Sequence, residues 1–163
     1  MLLLGADGFG RDLFSRLLHA ARVTLALAIV STLGATLLGT LLGGLAGYAG
    51  GRLDALLMRS SEFILVLPAI YVVLALRAAL PLVVPPSVTF VALAGIFTLF
   101  GWPIVARGVR AIVLSEGQRE YVQAARAMGA GPGRILAVHV LPAALGHVNS
   151  VATGMMPWVS LGL

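Results

Sequence analysis

Cysteine is missing from this 163-residue chain, and so is lysine: all eleven basic residues are arginine. Without cysteine there is no disulfide, no thiol nucleophile and no thiolate metal site. Without lysine the chain cannot carry an ordinary GxxxxGK[ST] nucleotide-binding loop. Charge is scarce as well, at 10% of residues with only six Asp and Glu. Asp7 with Asp12, and Glu116 with Glu120, are the acids close enough in sequence to pair, and none lies inside a long apolar run. An intramembrane hydrolase or proton relay needs ionisable groups at that depth, so both are disfavoured. The serines lack a G-x-S-x-G setting. His19, His139 and His147 show no metal-ligand spacing, and each reads as a helix-face residue. The first twelve residues carry two Asp and do not read as a cleavable signal peptide.

What is abundant is apolar length. Hydrophobic residues make up 60% of the chain, and residues 23–51 and 78–106 are each free of charge. A helix crosses a ~30 Å hydrocarbon core in about 20 apolar residues, so both windows suffice. The expected class is an all-α, polytopic transmembrane helix bundle surrounded by membrane lipid. The net charge of +5 sits at the ends of these windows and in the loops between them. That is how topology signals and headgroup contacts are distributed, so nucleic acid is not an expected partner.

Residues 1–22 read as an amphipathic lead-in, with Leu13, Phe14, Leu17 and Leu18 at helical spacing, and are expected to lie along the interface. A first span is expected at 23–48. Within it Ala35, Gly39, Gly43 and Gly47 repeat every four residues, a small-residue stripe suited to helix packing. Gly50 and Gly51 break that helix, and 49–62 reads as a short interfacial connection. A second span is expected at about 61–80, kinked by Pro68. Arg77, near its end, is expected to snorkel to the headgroups. Pro81, Pro85 and Pro86 mark a turn, and a third span is expected at 87–106, ending near Trp102 and Pro103. A polar segment follows from 107 to about 139. The run 143–163 is uncharged yet polar for a span, and the sequence leaves open whether it crosses.

The polar segment contains EYVQAARAMGAGPGRILAVHVLP, from Glu120 to Pro142. It reads as a helix ended by Gly129, a turn at Pro132 and Gly133, and a second helical stretch to Pro142. An oily protein with such a segment at its surface is expected to present it to a soluble partner. The stretch resembles the cytoplasmic signature of binding-protein-dependent ABC importer permeases: EAA, three residues, Gly, nine residues, I-x-LP. Gln123, Ala124 and Ala125 stand at the EAA positions, Gly129 follows after three residues, and nine more lead to His139, Val140, Leu141 and Pro142. His at that place, with YVxAAR upstream, is similar to the dipeptide/oligopeptide/nickel branch. Three further stretches resemble the same branch in the same order. They are Gly5 to Arg16 (GTDxxGRDxxSR, with Ala6 for Thr), Gly47 to Arg59 (GYxGGxxDxxxMR) and Trp102 to Arg110 (WPxxAR and beyond).

The resemblance implies a type I importer permease in a bacterial or archaeal plasma (inner) membrane. The chain would then be a transport subunit and not an enzyme, moving peptides or a related small solute such as nickel. It implies a second permease, ABC ATPase subunits holding ATP and Mg, and an extracytoplasmic solute-binding protein as partners. No cofactor is implied in this chain. By the same resemblance, 23–163 is a partial permease domain whose coupling segment, about 107–141, docks on the ATPase. The residues implied in docking are Glu120, Tyr121, Gln123, Ala124, Ala125, Gly129, Arg134, His139, Leu141 and Pro142. Arg119 and Arg126 stand at the rim, and small Ala124 and Ala125 are expected to admit a partner surface. With that segment and 49–62 in the cytoplasm, seven Arg lie inside and four outside. Family members have about six spans, so the chain reads as truncated, and Ala143 departs from the Asn common after LP. A truncated or degenerate membrane protein with an assembly role, or none in transport, is the alternative.

Overall fold

A computed structural model describes residues 5, 8, 10, 12–79, 84–135, 138 and 141–161. The order is α1 (Leu13–Ala49), α2 (Gly51–Val66), α3 (Ala69–Ala79), α4 (Pro86–Glu116), α5 (Glu120–Ala127), α6 (Pro132–Arg134) and α7 (Leu141–Leu161). Among the described residues the fold is all-α. His139, Pro81, Asp7 and Arg11 lie outside the described residues.

α1 begins where Asp12 caps it: the Phe14 amide donates to Oδ1 at 3.1 Å and the Ser15 hydroxyl to Oδ2 at 2.6 Å. The Ser15 bond holds the Asp12 carboxyl below its ordinary pKa. From there α1 runs through Arg22 without a break, so the expected separate interfacial helix is instead the first turns of the span. The reason is local. No Gly or Pro occurs between Leu13 and Leu33, and Arg is a good helix former, so charge ends the apolar window but not the helix. α1 ends at Gly50 and Gly51, both in the left-handed region at φ 61° and 59°.

The second span differs from expectation at both ends. α2 starts at Gly51, taking the supposed connection into the helix. Leu67 is extended (φ −72°, ψ 123°), and α3 leaves at 76° to α2. A residue before proline is pushed out of the α region, and at Pro68 the result is a break, not a kink. Pro103 behaves differently. α4 runs through it to Glu116, ten residues past the expected end, with Trp102 and Pro103 both buried. Packing there holds the helix where the missing amide alone would bend it.

α1 and α4 form the principal packed pair. Gly34 faces Thr98, Gly39 faces Trp102 and Val105, Gly43 faces Ala106, and Gly47 faces Arg110 and Val113. Both series ascend, so the two helices run parallel. α7 descends: His147 lies against Gly108 and Met155 against Gly101. Parallel neighbours need the intervening chain to return, so α2 and α3 together carry it back across the bundle as one bent span. By length and composition α1 and α4 can cross a membrane, and the bent pair counts as a third. α7, which takes up 143–161 of the run left open, is not among them but packs along α1 and α4.

Candidate functional site

At one end of the bundle the C-terminal ends of α1 and α4, the first turn of α2, and α5 come together. α5 is joined to α4 by only three residues, 117–119. Its helix is amphipathic in a simple way: Val122 and Ala125, three residues apart, face inward and are buried. Val122 joins Ile135, Val109 and Val113 in a core that continues up to Ala35 and Met155. α5 is thus seated on the bundle and does not hang from a loop.

The end of α5 is fully capped. Gly129 takes φ 82°, its amide donates to the Arg126 carbonyl at 2.9 Å, and the Ala130 amide donates to the Ala125 carbonyl at 3.0 Å. This is the Schellman arrangement, with glycine at its left-handed position. The turn therefore falls at 128–131, earlier than expected. Pro132 opens α6, where a missing amide costs nothing.

The surface that results is a short polar ridge. Glu120, Tyr121, Gln123, Ala124, Arg126 and Arg134 are exposed, as is Met128 at 82%. Gln123 donates to the Gln118 carbonyl at 3.1 Å. Tyr121 donates to Glu116 at 2.6 Å, which pushes its phenol pKa up, and Arg119 lies 3.6 Å from the same carboxylate. One expectation needs correcting. Ala125 is only 5% exposed, buried within the chain itself, so of the two alanines only Ala124 is open to a partner. Val122 and Ala125, three residues apart on the helix, share the inward face, which leaves Ala124 outside it. Gly129 is exposed, and nothing lies within 4 Å of where its Cβ would be. Pro142 is exposed at the start of α7, with Leu141 beside it in the chain.

The stripe on α1 lies at the α4 contact. A Cβ on Gly39 would come 2.5 Å from Val105 Cβ and 2.8 Å from the Trp102 carbonyl oxygen, and one on Gly47 would come 2.8 Å from Val113 Cβ. At Gly43 it would strike the backbone of Ala106 itself. Ala35 meets Gly101 in the same seam.

Three features were not foreseen from sequence. Arg110 on α4 grips Asp54 on α2 with Nε and Nη2 on separate carboxylate oxygens, each at 2.5 Å. His147 rests on Gly108, its Nε2 buried without a partner among the described residues. A cavity of about 500 Å³ opens at mid-depth between α1, α3, α4 and α7, walled by Phe97, Phe100, Met155 and Ala69. The buried hydroxyls of Ser31 and Thr32 line it and have no partner among the described residues. The hydroxyls had a signal in their spacing on α1, alongside the glycines. The ion pair spans 56 residues and had none.

Comparison with known proteins agrees with this architecture. Residues 39–162 match the family described as binding-protein-dependent transport system inner membrane component. A putative peptide permease protein of Brucella ovis is 36% identical over 138 residues, 85% of this chain and 44% of the relative. The dipeptide transport system permease protein DppC of Alkalihalophilus pseudofirmus is 35% identical over 149 residues, 91% of this chain and 47% of the relative. The oligopeptide transport system permease protein OppC of Bacillus subtilis is 32% identical over 159 residues, 94% and 48%. The chain spans a little under half the length of these curated relatives. With the matched region covering α4 to α7 and most of the packing stripe, the chain belongs to the binding-protein-dependent transport system inner membrane component family.

Proposed function

We propose that the chain serves as a permease subunit of an ATP-driven importer for peptides or a related small solute such as nickel. It would work beside a second permease, with ABC ATPase subunits that bind ATP and Mg, and with an extracytoplasmic solute-binding protein. Residues 107–141 form the coupling segment, and the exposed ridge of α5 and the Gly129 turn is what the ATPase engages. The observation that carries this reading is the construction of α5. Its outer face is polar and open, while its inner face, through Val122, is part of the same core as α4. A push on the ridge is therefore delivered to α4 and α1 as a whole, because close-packed interiors transmit displacement.

The test is co-purification in mild detergent with the ATPase encoded beside it, alone and with the partner permease. Gly129→Asp is expected to abolish retention while leaving the chain folded: the left-handed backbone costs a side chain about 1–2 kcal/mol, and the added charge meets open space in this chain and a surface only in the complex. Unchanged retention by that variant would count heavily against the docking role.

A further inference from the structure

The α2–α3 element has no covalent reason to follow α5. It leaves α1 through Gly50 and Gly51, both at positive φ, with nothing within 4 Å of a Cβ built on either. A junction with that backbone freedom and that much room is a pivot. What fixes α2 at this end is Asp54, in its first turn. Arg110 reaches it from α4, six residues before α4 ends and ten before α5 begins.

The contact is a two-point polar tie between elements. Two N–H groups of one planar guanidinium donate to the two oxygens of one carboxylate, both at 2.5 Å. Such a fork fixes direction as well as distance, which a lysine or a single hydrogen bond does not. The side chains are 32% and 16% exposed, so water competes only in part. A half-buried pair of this kind adds little net stability but excludes other registers, since any alternative leaves a charge unpaired.

We infer that Asp54 and Arg110 are positioning residues: a clamp that makes the bent α2–α3 span move with the α4–α5 body. The inference rests on the proposed role of α5. Displacement of α5 passes to the end of α4 through Val122, Val109 and Val113, all buried in one cluster. The clamp then passes it to α2, which without that tie is free to turn about Gly50 and Gly51. α3 begins at the wall of the mid-depth cavity, where Ala69 faces the same space as Ser31, Phe97 and Met155. Motion of α2–α3 therefore reshapes the bundle at half its depth, well away from the docking ridge.

The natural absence of cysteine allows two labels to be placed without background. Leu56→Cys on α2, 65% exposed, and Ala127→Cys on α5, also exposed, carry spin labels in the full chain in nanodiscs, with and without the ATPase and ATP. The distance between labels is expected to be narrow and unchanged by ATP, because both sites move together. Arg110→Gln is expected to broaden it about twofold or more. It should also cut solute moved per ATP by roughly tenfold, within the range of couplings between contacting residues. ATPase retention should persist. Arg110→Lys, which folds more readily, should broaden it less, and the exchange Asp54→Arg with Arg110→Asp should recover most of the width. An unchanged width in both single variants overturns the clamp, as does a swap no better than Arg110→Gln. If the ATPase fails to bind the unaltered chain, the docking reading falls, and the label widths without ATPase still decide the clamp.

Discussion

Gly43 in the α1–α4 seam and Gly129 after α5 are the same residue used for opposite reasons. At Gly43 the backbone is ordinary helix, and what matters is space: a Cβ would strike the Ala106 backbone. At Gly129 space is unlimited, and what matters is the backbone, held at φ 82°. The first region is a dry seam, where close approach of backbones replaces the hydrophobic drive that lipid cannot supply. The second is a wet cap, where conformational freedom alone lets a helix stop and its carbonyls be satisfied. One glycine stabilises by what it lets in, the other by how it bends.

The largest effect should come from Gly43→Ala. Backbone cannot rotate away as a side chain can, so the helices must part along the seam. A destabilisation of about 3 kcal/mol, at the upper end for overpacking, is expected in denaturant titrations of the chain in detergent. A loss under about 1 kcal/mol would mean that the seam is looser than its geometry.

Gly129→Ala should cost less, about 1–2 kcal/mol for a side chain in the left-handed region. Gly129→Asn should recover part of that, because Asn tolerates the conformation. The two regions then separate cleanly. If Asn and Ala cost the same at 129, the cap is not what glycine provides there. Thermal midpoints of the two variants make the comparison directly.

Much of the architecture was legible because apolar windows and small-residue spacing are local properties. Both long spans, the break at Gly50 and Gly51, and Gly129 at the end of a helix followed from residues within a turn or two of each other. Helix ends were less legible, since the charge that ends a window does not end a helix. Arg107 and Arg110 ride in α4, and Arg52 and Asp54 in α2. Proline was ambiguous for a related reason. Pro68, exposed, breaks its span, while Pro103, buried beside Trp102 in the α1 contact, does not. Tertiary packing decides between those outcomes, and it is not written near either proline. Along the α5 ridge the motif marked the segment, but only coordinates separate exposed Ala124 from buried Ala125. The Asp54–Arg110 clamp was in quoted motifs on both sides, yet nothing in one sequence joins them.

The smallest effect sharpens the seam from within. Gly34 also faces α4 closely, its Cβ falling 2.6 Å from Thr98 Oγ1 and 3.4 Å from Thr98 Cβ. By distance alone Gly34→Ala should be nearly as harmful as Gly39→Ala. The facing atoms, however, are side-chain atoms of one threonine, Oγ1 and, at 3.0 Å, Cγ2, and the hydroxyl's bond across the seam is a long one, 3.4 Å to the Ser31 carbonyl. A small shift of the Thr98 side chain, at the loss of that weak bond, relieves both contacts, and alanine is the better helix former by about 1 kcal/mol. Gly34→Ala should therefore be close to neutral, within about 0.5 kcal/mol, as surface-like substitutions are. If it instead costs as much as Gly43→Ala in the same titration, separation of the helix axes governs the seam, and the identity of the opposing atom is irrelevant. A near-neutral result places the rigid part of the interface between Gly39 and Gly47, the half that leads to the clamp and to α5.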